Sequence, residues 1–130
     1  MSEVNNSIRS LALAKSSSFR TTIISVAEWD NAQVTVREPS AESWVKFREI
    51  MSPDLPEGEE PPKLSHTQEY QRNKRADVLM FMDVLLDENG NRVFSDEDES
   101  IVSDSYGPVH SRLLSKALKL TMSQENAEAK

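Results

Sequence analysis

Residues 75–87 read RADVLMFMDVLLD. From Val78 to Leu86 every position but Asp83 is apolar. A helix built on this stretch has no polar side to leave in water, and a helix apolar all round must be covered all round. The sequence just upstream supplies its start. Ser65 and Gln68 form an S-x-x-Q capping box, in which each side chain takes up a backbone N–H at the helix entrance. The spacing predicts one helix from there to about Asp87, polar and basic in its first half (HTQEYQRNKRAD) and apolar in its second. The apolar half is either the central element of a small domain or a surface partly covered by another chain. Met80 and Met82, flexible and polarizable, suit both. For cover by another chain, the candidate partner-binding residues are Val78, Met80, Phe81, Met82, Leu85 and Leu86.

Working toward the N-terminus, SPDLPEGEEPPKL (52–64) has no periodic apolar face. Its prolines, acids and glycine predict a mobile loop, a spacer or a segment that orders on a partner. Before it, Ser40 is a plausible N-cap with Glu42 in the first turn, and Trp44, Phe47 and Met51 fall on one helical face. Earlier still the period changes. TTIISVAEW and AQVTVRE are rich in β-branched residues, and Asp30 and Asn31 between them tolerate turn conformations, so a β-hairpin is expected. Residues 1–18 read as an arm, flexible or with a short helix around Ile8, Leu11 and Leu13, broken by the serines at 16–18.

Toward the C-terminus, DENGNRVFSDED (87–98) resembles a calcium loop in outline. Asp87, Asn89, Asn91, Ser95 and Asp98 place oxygens at loop positions 1, 3, 5, 9 and 12, as a hard cation needs. Position 6, which calls for glycine, holds Arg92, and position 12, usually glutamate, holds the shorter Asp98. Gly90 suits a helix C-cap or an Asn-Gly turn. Ser95 and Asp98 also fit a second capping box. Beyond them Ile101, Val102 and Tyr106 make a thin apolar stripe. Gly107 is placed for a left-handed cap and Pro108 for the first turn of a last helix. That helix presents Val109, Leu113, Ala117 and Leu120 on one face. Residues 121–130 are expected to be a disordered polar tail.

The whole predicts a mainly α fold with a small N-terminal β-hairpin (α+β). Four to five helices pack around the apolar helix near 75–87, in one domain over residues 19–120. One hundred and thirty residues suit a single domain with a modest core. A net charge of -7 argues against nucleic acid and anionic membranes as partners. The absence of cysteine removes disulfide and thiolate chemistry and agrees with a reducing compartment. No apolar run is long enough for a membrane span, so a soluble, intracellular chain is expected.

The sequence carries little chemistry. His66 and His110 stand outside any metal-ligand spacing. Ser111, His110 and Asp104 can be assembled into a triad only on paper, with no nucleophile elbow around them. Three glycines cannot build a phosphate loop. No catalytic residue, no cofactor and, apart from the calcium alternative, no metal is expected.

Three stretches together, TVREPSAESWVKFREI (35–50), QRNKRADVLMFMDVLLDENGNRVFSDED (71–98) and YGPVHSRLLSKALKL (106–120), resemble the tail assembly chaperones of long-tailed, siphovirus-type bacteriophages. The likeness spans residues 20–120 and lies in the order of the elements rather than in any catalytic signature. It implies a non-catalytic protein of the host cytoplasm, absent from the mature virion. Such a protein binds and solubilises the tape measure protein and promotes assembly of the tail tube protein around it. It also implies a longer, frameshifted form that engages the tail tube protein, and head-to-tail self-association into open spirals. The alternative is a calcium-binding helix-loop-helix interaction module using loop 87–98.

Overall fold

The computed structural model describes residues 2–13 and 19–129, with side chains described at 8–13 and 19–121. Among these residues are five helices and a three-stranded antiparallel sheet, the α+β arrangement expected. Strand β1 (Thr21–Val26) and strand β2 (Ala32–Arg37) pair along their whole length. They are joined by a 3-10 turn at Ala27–Trp29 and by Asp30 and Asn31. Those two residues hold φ of 55° and 58°, in the left-handed region that short Asx side chains tolerate better than branched ones. The period-2 pattern sets the faces. Val26 and Val36 are fully buried, with Ile24 and Val34 packed beside them, whereas Ile23 points to solvent.

Helix α2 (Ala41–Met51) starts at Ser40, whose hydroxyl accepts from the Ser43 N–H at 3.2 Å. It packs along α3 (His66–Val84). The connection between them is exposed almost throughout and turns at Gly58, where φ is 87°. The Ser65–Gln68 capping box forms as the sequence predicts, with both reciprocal bonds made at 2.9 and 3.2 Å.

α3 stops three residues earlier than expected, at Val84 rather than Asp87. Leu85 takes extended backbone angles, and Leu85–Leu86 form the short edge strand β3 against Thr35 and Val36 of β2. Periodicity could not reveal this, because an apolar pair continues an apolar helix as well as it starts a buried strand. The sheet thereby clasps the end of α3. Beyond it the chain turns through Gly90 (φ 82°), the turn option of the two that its sequence allows.

A 3-10 turn at Asp96–Asp98 leads into α4 (Glu99–Ser105), and α5 (Pro108–Ala129) closes the domain. Ser95 and Asp98 form the second capping box. Gly107 does not take the left-handed cap expected of it. The turn of backbone falls on Tyr106, which is extended at φ -64°, ψ 126°. Pro108 opens α5 as expected. α5 continues to Ala129, so residues 121–129, expected to be disordered, have helical backbone. At the other end α1 (Ser2–Leu13) is a longer helix than the short one anticipated around Ile8, Leu11 and Leu13, and all three side chains are exposed. The serine break at 16–18 lies outside the described residues.

The core gathers around the second half of α3. Val78, Phe81, Met82 and Val84 are fully buried together with Val26, Val36, Leu113 and Ala117. The chain itself covers most of the apolar helix, with α2, α4 and α5 packed along it and Val26 and Val36 of the sheet in the same buried cluster, while Leu79 stays half-buried.

Candidate functional site

Asp83, the single charge in the apolar run, is answered by Arg37 at the end of β2. The guanidinium meets the carboxylate as a fork, Nη2 to Oδ1 at 2.9 Å and Nη1 to Oδ2 at 3.2 Å. The Ser40 N–H and hydroxyl also donate to Asp83, at 2.9 and 3.2 Å. Phe19 lies against the outer face of the guanidinium, 4.3 Å from Cζ to ring centroid. Burial alone pushes the Asp83 carboxyl up. The Ser40 N–H, Arg37 and Ser43 outweigh it, and the group ends below the usual aspartate range. Sequence reading missed this pair, although a lone acid inside an apolar helix calls for a buried cation somewhere else in the chain.

The six side chains that the sequence offered to a partner belong to this same core. Val78, Met80, Phe81, Met82, Leu85 and Leu86 are each no more than 5% exposed. Within the single chain, the apolar half of α3 is therefore a core element.

In loop 87–98 the two end carboxylates are engaged separately. The Asp87 Oδ1 accepts from the N–H groups of Asn89 and Asn91, at 2.8 and 3.0 Å. The Asp98 Oδ2 accepts from Ser95, at 2.9 Å from its N–H and 3.3 Å from its hydroxyl. One carboxylate stabilises a turn and the other a helix entrance, so both serve the backbone. Arg92, in the glycine position, folds back on the end of α3, its Nε donating to the Met82 carbonyl at 3.1 Å. That carbonyl is among the last of the helix, where a cation is favoured. Among the described residues no group of three or more His, Cys, Asp or Glu side chains is placed to hold a metal.

Ser111, His110 and Asp104 do not form a catalytic array. Ser111 and Asp104 are exposed, and the His110 Nδ1 accepts from the Gly107 N–H at 3.0 Å, in the first turn of α5. The His110 ring packs against Phe81 (5.2 Å between centroids), Tyr106 (5.4 Å) and Trp29 (5.5 Å). Burial holds its pKa below the ordinary histidine value. Tyr106 is pushed up, by burial first and by the Asp77 charge second. His66 is exposed at the entrance of α3.

What remains for recognition is the surface. A cleft of about 630 Å³ runs between α2, α3 and the 96–99 turn, with Ile50 and Leu79 in its floor and Lys46, Arg72, Arg75, Asp96 and Glu99 around it. A more apolar cavity of about 450 Å³ opens where β3 leaves β2. Ile8, Leu11 and Leu13 on α1, Tyr70 on α3 and Ile101 on α4 are large side chains exposed to more than half their area. Among the described residues no helix is long and apolar enough to cross a membrane.

Polar groups committed to structure, a core covered largely by the chain itself and exposed apolar side chains outside it describe a small α+β protein. A family model described as phage tail assembly chaperone matches residues 7–130, and the chain belongs to that family. The solved structure of the bacteriophage HK97 tail assembly chaperone is similar at 39% identity and a TM-score of 0.75, over 89% of this chain and 98% of that one. No curated protein matches the chain.

Proposed function

We propose that this chain binds the phage tape measure protein, keeps it soluble and promotes assembly of tail tube protein around it, without catalysis. The observation that carries the reading is the family match over nearly the whole chain, supported by the likeness to the HK97 tail assembly chaperone. The physical character of the surface agrees. A net charge of -7 keeps a complex dispersed, and exposed apolar side chains on α1, α3 and α4 offer contact to amphipathic helices. The six core residues at 78–86 would meet a client only in a chain opened around α3, so the reading rests on the exposed set.

The same reading places the protein in the host cytoplasm during assembly and outside the mature virion. It includes self-association by head-to-tail contacts and a longer form, made by frameshifting near the end of the gene, that engages the tail tube protein. Co-expression with the tape measure protein of the same phage is the test. The expected result is tape measure protein moved from the pellet to the supernatant and retained with a tagged chain. Tape measure protein equally insoluble with and without this chain would end the proposal. Mass spectrometry of the infected cell checks the longer form separately.

A further inference from the structure

We propose that the notch where β3 departs from β2 is a docking site for an extended polypeptide segment that carries a large apolar side chain next to a lysine or arginine. This goes beyond the chaperone reading and does not depend on it.

Three observations meet at the notch. The first is an unfinished edge. β2 runs Ala32–Arg37, but β3 pairs only with Thr35 and Val36. The Glu38 N–H donates to the Arg20 carbonyl on the β1 side. Alternation along an antiparallel strand then turns the backbone groups of Val36 and Val34 toward β1, and those of Thr35 and Gln33 toward β3. Leu86 faces Thr35. In that register Asp87 falls opposite Val34 and Glu88 opposite Gln33, but β3 ends at Leu86, so no strand of this chain pairs with Gln33. An incoming extended segment can continue the sheet there by strand addition.

The second observation is the cavity of about 450 Å³ beside that edge. Trp29, Phe81, Phe94 and His110 line it, with Val34 and Val93 at its walls. It is largely apolar, and the ring N–H groups of Trp29 and His110 are the donors among its aromatic rings. The His110 Nδ1 accepts the Gly107 N–H, which leaves the ring proton on Nε2. Such a cavity takes a large apolar side chain of a segment whose backbone lies along β2.

The third is charge. Asp87 and Glu88 line the same cavity. One Asp87 oxygen is held by the loop, while Glu88 is exposed and makes no ion pair among the described residues. Two acids beside an apolar cavity select a cation adjacent to the apolar anchor and repel an acidic segment.

The test pans a library of short random linear peptides against the immobilised full chain and then measures the enriched peptides by fluorescence polarisation. The expected consensus is a large apolar residue with Lys or Arg within two positions. Glu88→Lys should weaken binding about tenfold, by turning attraction into repulsion at the rim. Val93→Glu should remove it, and Ile101→Ser, on α4, should leave it intact. N-methylation of the peptide amide facing Gln33 should abolish binding, whereas methylation of the next amide should not. If Val93→Glu shifts the melting curve, Glu88→Lys and the methylated peptides decide. No enrichment, a consensus without basic residues, helical i, i+3, i+4 spacing of the apolar positions, or binding that survives Glu88→Lys would each overturn the proposal.

Discussion

Arg37 and Asp83, 46 residues apart, close a two-pronged ion pair inside the protein and so fasten the end of β2 to the last turn of α3. Removing one partner leaves the other charge unpaired where little water reaches it. Asp83→Asn should therefore cost about 3–5 kcal/mol, whereas replacing both by apolar residues of similar volume should cost much less. Urea unfolding of the two variants checks this. The folded-state pKa of Asp83 lies below its unfolded value, so its contribution is fully present above the ordinary aspartate range. It is lost as pH falls through the lowered value. Acid unfolding of the wild type should show a transition there that Asp83→Asn no longer has.

Asp77 works in the opposite direction. Burial raises its pKa, so the charged form is less favourable in the folded chain than in the unfolded one and weakens the fold at neutral pH. Asp77→Asn should raise the melting temperature at pH 7. Below the ordinary aspartate pKa the folded and unfolded forms of the wild type are both protonated, and there the two proteins should melt alike.

Phe81 is fully buried and meets the rings of His110, Tyr106 and Phe94 at 5.2, 5.8 and 6.4 Å between centroids. Phe81→Ala should cost about 3–5 kcal/mol by leaving a cavity in the centre of the core. Ile101→Ser, at a side chain 64% exposed, should stay within about 0.5 kcal/mol of the wild type. Thermal unfolding of the pair separates a core residue from a surface one, and so tests whether α3 is held as drawn.

One oxygen of each end carboxylate of loop 87–98 is engaged by the backbone, Asp87 on the turn and Asp98 on the α4 entrance. Calcium would have to displace those bonds and sit beside the Arg92 guanidinium, which is already fixed to the Met82 carbonyl. Millimolar calcium should leave the melting temperature unchanged and give no heat on titration. A rise in melting temperature that Asp87→Ala removes would restore the calcium module.

The parts of this fold that were legible in the sequence are those set by neighbouring residues. Both capping boxes, the Ser40 cap, the Asp30–Asn31 turn and the Pro108 start formed where spacing placed them, because each depends on groups within a few positions. What stayed hidden depends on distant partners. Leu85 and Leu86 become a strand only because Thr35 and Val36 are there to pair with them. Asp83 looked like an interruption until Arg37 was brought beside it. The burial of Val78 through Leu86 follows from how α2, α5 and the sheet close over α3, which no local pattern encodes. The notch beside β2 was equally out of reach, since it is made where two strands fail to pair.

Glu28 and Arg112, 84 residues apart, join the hairpin to α5 across the surface, at 2.7 and 2.8 Å in a second two-pronged pair. The Arg112 hydrogen bond holds the Glu28 carboxyl down at about 2. The geometry is good, but both side chains are nearly half exposed, so solvent and salt screen the attraction and the gain in stability is small. Its signature is therefore in its dependence on conditions rather than in its size. A depressed carboxylate contributes fully above its unfolded pKa, near 4.5, and loses that contribution as pH falls toward about 2. Glu28→Gln should lower the melting temperature slightly at neutral pH and low ionic strength. The difference from wild type should shrink as salt is added, and shrink again as pH is lowered through that window. A difference that ignores both salt and pH would mean that Glu28 acts through packing and not through its charge.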